Sequence, residues 1–296
     1  MRDVLTGDDA ADGVGPPFEL GAFDLDGTLL HGDLTITEAS VRTLRLLRGL
    51  GARLVVATGR RFETASKHAG RLGFTDEEPV ICYGGSMVRT VDGRTLLHRT
   101  IERSLAVEVL RWAEERGVRA RVLTDGEVLI PPGPALAVER LRSAEEPGVR
   151  MVDSLSGWQE EGEEPTKIVF VDEPDSVEEW LQEARGAFAG RAFVTRSLPH
   201  YVEIGALEGT KSGALSFLCG EWGIDPARVA AFGDADNDVD MLRFAGLGVA
   251  VGGMTEEVRR AADAIAPPVE EDGVASFVEG LLDGRIAEGR VSGDRA

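Results

Sequence analysis

Short apolar runs rich in β-formers alternate with helical stripes at both ends of the chain, and this alternation is the strongest constraint on its fold. The runs lie at 20–23, 54–57, 80–82, 229–232, 247–251 and 264–266. Between them fall helical patterns near 37–50, 61–72, 238–245 and 255–262, with a last one near 274–282. In the first of these, Val41, Leu44, Leu47 and Leu50 form one stripe, and Thr35 or Thr37 is available as its cap. Runs of three to five apolar residues, each followed by a helix, predict parallel strands covered on both faces. The expectation is an α/β protein built on a doubly wound parallel sheet.

The middle of the chain breaks the pattern. Asp92-Gly93 and Asp125-Gly126 each lie between two alternating runs, which is a strong hairpin signal. Hairpins make antiparallel sheet, so an inserted α+β unit is expected at 86–197, with strands near 167–171 and 192–195 and a helix near 174–189. The stretch 145–165, with Glu160-Glu161-Gly162-Glu163-Glu164, reads as a charged loop. The main domain is then discontinuous, 18–85 and 198–284, and α/β alternation resumes from Tyr201. Residues 1–17 and 285–296, polar and glycine-containing, read as a disordered lead-in and a flexible tail.

Charge and composition exclude several classes of function. The 32 Lys+Arg against 52 Asp+Glu leave a net charge of −20, which repels a phosphate backbone and an anionic bilayer surface alike. No apolar run approaches the ~18 residues that suggest a membrane span, and no apolar segment of signal-peptide type follows Met1. Cys82 and Cys219 are the only cysteines and form no disulfide framework, so a reducing, cytoplasmic setting is expected. The four histidines, His31, His68, His98 and His200, show no metal-binding spacing.

Chemistry concentrates at strand ends. Asp24-Leu25-Asp26-Gly27-Thr28 follows the first run, where open α/β sheets bind ligands. An Asp-rich turn explains this segment equally well on its own. A second cluster, from Gly233-Asp234 through Asp236-Asn237-Asp238 to Asp240, follows the run 229–232. It is not an EF-hand, because positions 6 and 12 counted from Asp234 are Val239 and Ala245. Capping explains Asp236 but not four acids in seven residues. Two carboxylates ~5 Å apart repel by roughly 3 kcal/mol at an effective dielectric near 20. If the two strand ends adjoin, the cluster calls for a divalent cation, and hard oxygen ligands suit Mg²⁺. Thr58-Gly59-Arg60 opens a helix after the second run and offers an anion site. Gly209-Thr210-Lys211 opens another and can bring an ammonium to the same strand ends.

These four segments, in this order, resemble the motifs of the haloacid dehalogenase superfamily, and specifically of Cof-type phosphatases with an α+β cap of the C2 class. The likeness runs from about Glu19 to Leu282. Asp24-Leu25-Asp26-Gly27-Thr28-Leu29-Leu30 matches the first motif and Ala57-Thr58-Gly59-Arg60 the second. Lys211 matches the third, and Gly233-Asp234-Ala235-Asp236-Asn237-Asp238 with Met241-Leu242 the fourth.

The resemblance implies a Mg²⁺-dependent phosphomonoester hydrolase acting on a small cytosolic phosphometabolite, a sugar phosphate or similar ester. In that scheme Asp24 is the nucleophile that becomes an aspartyl-phosphate, and Asp26 is the general acid and then the base. Asp24, the backbone carbonyl of Asp26 and Asp234 hold Mg²⁺, and Asp238 orients the metal shell. Thr58, Gly59 and Lys211 bind the phosphate, and Asn237 is placed to reach substrate. Two departures stand out: Gly84-Gly85 replaces a common Asn-Gly, and Gly252-Gly253-Met254 a common Gly-Asn-Ala. They leave the identity of the ester open. A phosphotransferase or mutase on the same fold is the alternative within the family, and a non-catalytic Mg²⁺/phosphate-binding regulator the alternative outside it. A homodimer is compatible with the sequence but not required by it.

Overall fold

A computed structural model describes residues 15–133 and 148–285. The expected disordered lead-in falls almost wholly outside the described residues, as does all but the first residue of the expected tail.

In chain order the strands are β1 (Leu20–Phe23), β2 (Arg53–Ala57), β3 (Pro79–Cys82), β4 (Met87–Thr90), β5 (Thr95–His98), β6 (Ala120–Leu123) and β7 (Val128–Ile130). They continue with β8 (Val149–Met151), β9 (Lys167–Val171), β10 (Ala192–Arg196), β11 (Tyr201–Ala206), β12 (Val229–Gly233), β13 (Leu247–Val251) and β14 (Ala264–Ala266). Two sheets result. The larger has the order β14-β13-β12-β1-β2-β3-β4-β5, and the smaller β10-β11-β9-β6-β7-β8. From β14 through β3 every pairing in the larger sheet is parallel.

Parallel pairing follows from burial. Every residue of β1 is buried, as are four of the five in β2 and all of β12, so helices must cover both faces. On one side Leu44 and Leu47, from the helix Glu38–Gly49, pack with Phe23, Leu54 and Phe232. On the other, Leu215 and Leu218, from the helix Lys211–Trp222, pack with Leu20, Val55 and Ala231. Thr37 caps the first helix by accepting from the Ser40 N–H at 3.1 Å. Thr210 caps the second through the Gly213 N–H at 3.0 Å, so Lys211 occupies its first turn.

The boundaries of the insert differ from the sequence expectation of 86–197. β4 and β5 do not open a new sheet. They fold back antiparallel on β3 and extend the larger one. At the other end, Tyr201 does not resume the α/β alternation: β11 pairs antiparallel with β9 and β10 in the smaller sheet. A hairpin turn fixes that two strands pair with each other but not which existing edge they join. The segment 145–165 is also not all loop where it is described. It holds β8, paired parallel with β7, and a helix, Leu155–Glu161, that Ser154 caps through the Gly157 N–H.

The smaller sheet lies over the carboxyl ends of the larger one, and named contacts tie the two together. The Tyr83 hydroxyl, in the loop after β3, donates to the Thr124 carbonyl at 3.2 Å. Arg89 of β4 grips Asp125 with two N–H groups at 2.9 and 2.6 Å. Arg196 at the end of β10 reaches Asp236 at 2.8 Å.

Candidate active site

The first two aspartates sit where β1 ends in a tight turn. Leu30, Leu29 and Thr28 donate their N–H groups back to the Leu25 carbonyl at 2.7, 3.0 and 3.2 Å, which curls the loop over itself. Gly27 has a φ of +79°, and a Cβ there would collide with the Asp234 carboxylate. Only glycine lets the loop after β1 approach the loop after β12 this closely. β1 and β12 are neighbours in register, Phe23 beside Phe232, so both acidic loops leave the sheet side by side.

The centre of the site is a buried ion triad. The Lys211 ammonium donates to Asp24 Oδ1 at 2.6 Å and also to Asp238 Oδ1. Asp24, Lys211 and Asp238 are all buried. Asp238 spends its other oxygen on the backbone, accepting from the Asp234 and Ala235 N–H groups at 3.1 and 3.0 Å. It therefore shapes the loop and holds the lysine. Gly85, at φ +107°, lets the loop after β3 press against the Thr210–Lys211 backbone, where a Cβ would overlap it. That contact helps fix where Lys211 starts.

Charge crowding shifts the titration of the group. Burial, with the nearby Asp238, Asp234 and Asp26 carboxylates, pushes Asp24 well above the usual carboxylate range, and Lys211 offsets only part of this. Asp234 is pushed up to about 7, mainly by burial and then by Asp238, although Lys211 and the Thr28 hydroxyl (3.3 Å) favour its ionised form. For Lys211, burial opposes the charge, but the Asp238 and Asp24 carboxylates outweigh it and keep the ammonium protonated.

The residues fit a hard cation. One carboxylate oxygen from each of Asp24, Asp234 and Asp238 lies within 4.8 Å of the others. The donor set is all oxygen, with no histidine or cysteine, and two of its members are driven toward protonation without a counter-ion. Because two Asp238 oxygens already serve Lys211 and backbone N–H groups, Asp24 and Asp234 are the freer carboxylates.

Asp234 gives a test of this electrostatic reading. Its raised pKa means that the folded, metal-free protein binds a proton between about pH 4 and 7 that the unfolded chain does not. Stability from this group is therefore lost as pH rises through that window. In chelator at pH 7.5, Asp234→Asn should be more stable than the native chain, by on the order of 2 kcal/mol, and the advantage should shrink toward pH 5. Paired thermal or urea melts at the two pH values measure it. An advantage that is absent, or larger at pH 5, would contradict the assignment.

The other sequence-derived candidates fall around this centre. A cavity of about 570 Å³ is lined by Asp24, Asp26, Gly59, Asp234 and Asn237 together. Asn237 is buried, and its side-chain carbonyl oxygen has no hydrogen-bond partner among the described residues. Thr58 is fully buried at the end of β2, and its hydroxyl oxygen accepts from the Arg60 N–H at 3.2 Å. It does not itself line that cavity.

Sequence reasoning missed two features. Arg60 clamps Asp26 through both carboxylate oxygens, at 2.9 and 2.7 Å. The smaller sheet also supplies Arg121, Lys167 and Glu203 to the cavity wall. All three lie within or at the start of otherwise apolar strand runs, but the sequence alone does not show that they share one face.

Comparison with known proteins agrees with this geometry. The family described as haloacid dehalogenase-like hydrolases matches residues 22–278. The 5-amino-6-(5-phospho-D-ribitylamino)uracil phosphatase YitU of Bacillus subtilis is 28% identical over 266 residues, covering 87% of this chain and 95% of that protein. The chloroplastic endoribonuclease YBEY of Arabidopsis thaliana is 26% identical over 286 residues; 92% of this chain is covered, but only 48% of that protein, so the chain spans about half its length. A solved haloacid dehalogenase-like hydrolase from B. subtilis superposes with a TM-score of 0.78 at 27% identity, covering 89% of this chain and all of that one.

Proposed function

The chain belongs to the haloacid dehalogenase-like hydrolases and is a phosphatase of small phosphate esters, and from that premise we propose that it is a Mg²⁺-dependent phosphomonoesterase working through an aspartyl-phosphate on Asp24. The observation that carries this reading is the buried Asp24–Lys211–Asp238 triad, whose Asp24 lines a cavity together with Asp26 and Asp234.

In this mechanism Lys211 fixes one oxygen of Asp24, and the other attacks phosphorus. The bond from phosphorus to the ester oxygen breaks, and Asp26 gives its proton to the departing oxygen. Asp26 then takes a proton from water, which attacks the phosphorus and frees Asp24. The Gly59 N–H and Lys211 hold the phosphoryl oxygens, Thr58 holds the turn behind them by accepting from the Arg60 N–H, and Asn237 contributes its amide to the substrate side of the cavity. Asp24, the Asp26 carbonyl and Asp234 would hold Mg²⁺, which supplies compensation for the negative charge gathered there. Asp238 holds Lys211 and the loop that carries Asp234.

Arg60 adds a condition. The clamp occupies one lone pair on each Asp26 oxygen, so the leaving group competes with Arg60 for this carboxyl. The incoming phosphate dianion offers the guanidinium a second partner, and Asp26 serves as acid once Arg60 has shifted toward it.

The substrate class proposed is a small cytosolic phosphometabolite, in keeping with the phosphoribityl substrate in the name of the B. subtilis relative. No helix among the described residues is long and apolar enough to cross a membrane, and Cys82 and Cys219 are both free and buried. Both observations suit a cytoplasmic enzyme. Transfer to a second hydroxyl instead of water has no specific observation in its favour.

Metal dependence is the first functional test. EDTA should abolish hydrolysis of p-nitrophenyl phosphate, and excess Mg²⁺ should restore it. Undiminished turnover in chelated buffer would overturn this reading.

A further inference from the structure

Three side chains border two cavities at once. Lys167, Glu203 and Asn237 line the large cavity that holds Asp24 and Asp26, and they also line an adjoining one of about 10 Å³. A volume of about 10–15 Å³ admits a single water-sized group. Strand alternation places the first two residues. Glu203 of β11 pairs with Val169, two residues along β9 from Lys167, so both side chains leave the smaller sheet on one face. Ile168 and Phe170 point the other way and bury with Val109 and Leu110 of the helix Arg103–Arg116. Asn237 comes from the larger sheet, on the acidic loop after β12.

Lys167, Glu203 and Asn237 are each more than nine-tenths buried, at 3%, 8% and 8% exposure. Lys167 donates to Glu203 Oε2 at 2.6 Å, and Ser197 donates to Glu203 Oε1 at 2.6 Å. Burial opposes the charge on Glu203, but the Lys167 ammonium and the Ser197 hydroxyl outweigh it and hold the carboxyl below its usual range. The pair is ionised, and its two charges cancel. Its hydrogen-bonding capacity is not exhausted. An ammonium carries three N–H donors, and among the described residues Lys167 makes one hydrogen bond, to Glu203. The Asn237 side-chain carbonyl oxygen is buried without a partner among the described residues. A donor and an acceptor with unused capacity therefore border the same small space. Leaving such groups unmet costs about 1–3 kcal/mol each.

We propose that Lys167 and Asn237 determine specificity by reading one hydroxyl of the leaving group, on the first or second carbon beyond the ester carbon. A hydroxyl satisfies both residues, because its oxygen accepts from the Lys167 ammonium while its proton goes to Asn237 Oδ1. A second anion would meet the ammonium but repel the amide oxygen, and a methyl group would meet neither. The position follows from Gly59, at the phosphoryl end of the cavity. From where a Cβ would stand on it, Asn237 Nδ2 and Glu203 Oε1 are each 3.8 Å away. The small pocket therefore takes a group close to the ester rather than the far end of the substrate. Glu203 and Ser197 are positioning residues that hold the ammonium in place. The proposal rests on the reading of Asp24, Asp26 and Asp234 as the phosphoryl-transfer centre, with the phosphoryl group beside Gly59.

Equilibrium binding separates the two readings, because it does not need turnover. The alcohols 3-hydroxypropylphosphonate and 4-hydroxybutylphosphonate, with carbon in place of the ester oxygen, are titrated calorimetrically into the Mg²⁺-loaded protein. Butylphosphonate and pentylphosphonate, with a methyl in place of the hydroxyl, are their partners. A methyl costs less to desolvate than a hydroxyl, so without a built site the partners bind at least as tightly. At one or both lengths the alcohol should instead bind at least ~10-fold more tightly, about 1.4 kcal/mol. Lys167→Met combined with Glu203→Gln removes the ammonium without stranding a carboxylate, and should bring that ratio close to one. Asn237→Leu should do the same, by setting the hydroxyl proton against carbon, and it decides the matter if the double variant does not fold. Ratios at or below one at both lengths, as a permanently bound water would give, would overturn the proposal while leaving the phosphoryl centre intact. So would a ratio that survives the substitutions. Failure of all four phosphonates to bind would instead overturn the phosphoryl centre, and this proposal with it.

Discussion

Asp24→Asn should lower the turnover of p-nitrophenyl phosphate by at least ~10³, a barrier increase of roughly 4 kcal/mol. The change preserves volume and keeps one oxygen that can accept from Lys211, but removes the charged oxygen that attacks phosphorus. It also relieves the crowding that pushes the Asp24 carboxyl upward. The variant should therefore be folded, and in chelator no less stable than the native chain, while almost inactive. That combination distinguishes loss of a nucleophile from loss of structure. Steady-state rates, with a melt on the same preparation, measure both. A variant that kept a tenth of the native turnover would remove Asp24 from covalent catalysis.

Lys211→Met should be damaging in a different way. The ammonium lies between two buried carboxylates, and removing it leaves both without their cation. Breaking a buried pair by deleting one partner costs about 3–5 kcal/mol. Here the Asp238 hydrogen bonds to the Asp234 and Ala235 N–H groups also lose their anchor. The sign of the pH effect follows. Without Lys211, the Asp24 carboxyl is pushed still further up in the folded state, so the folded chain binds a proton there more readily than the unfolded one. Stability of the variant should recover as pH falls from 7.5 toward 5. Urea melts at the two pH values, with turnover measured alongside, test it. Activity should drop by at least ~10², because Asp24 loses the group that orients it. A deficit that deepens on acidification would show that the damage lies elsewhere than in the Asp24 carboxyl.

Strand ends were the most legible part of this molecule. β1, β2 and β12 are runs with nearly every residue buried, and a run of that kind has few other solutions in a protein of this size. Once they pair in parallel, the residues that follow them must gather at one end of the sheet. Asp24, Gly59 and Asp234 are neighbours in space for that reason. The Gly27 contact with Asp234 was not legible, because it depends on how two loops from distant parts of the chain meet.

Sheet membership was harder to read. The β4–β5 hairpin is plain in the sequence, yet its attachment to β3 is set by packing of Met87 and Val88 into the main core. Sequence alone places β11 with the main domain for a related reason: its buried residues resemble those of β12, but they pair with β9 and β10. The charged wall was overlooked because Lys167 and Glu203 each look like an ordinary polar residue of a strand. Only the register, which places them on one face with Arg121, shows that the charges are concentrated there. Likewise, nothing in Thr58-Gly59-Arg60 taken alone indicates that Arg60 turns to Asp26.

The central claim is that phosphorus is passed to the protein before it reaches water, and the stereochemistry of the reaction tests this most directly. A phosphomonoester made chiral at phosphorus with oxygen isotopes and sulfur is hydrolysed in isotopically labelled water, and the configuration of the released thiophosphate is determined. Two successive in-line displacements, the first by Asp24 and the second by water, should give net retention. Net inversion would mean that water attacks the substrate directly, and would contradict the account.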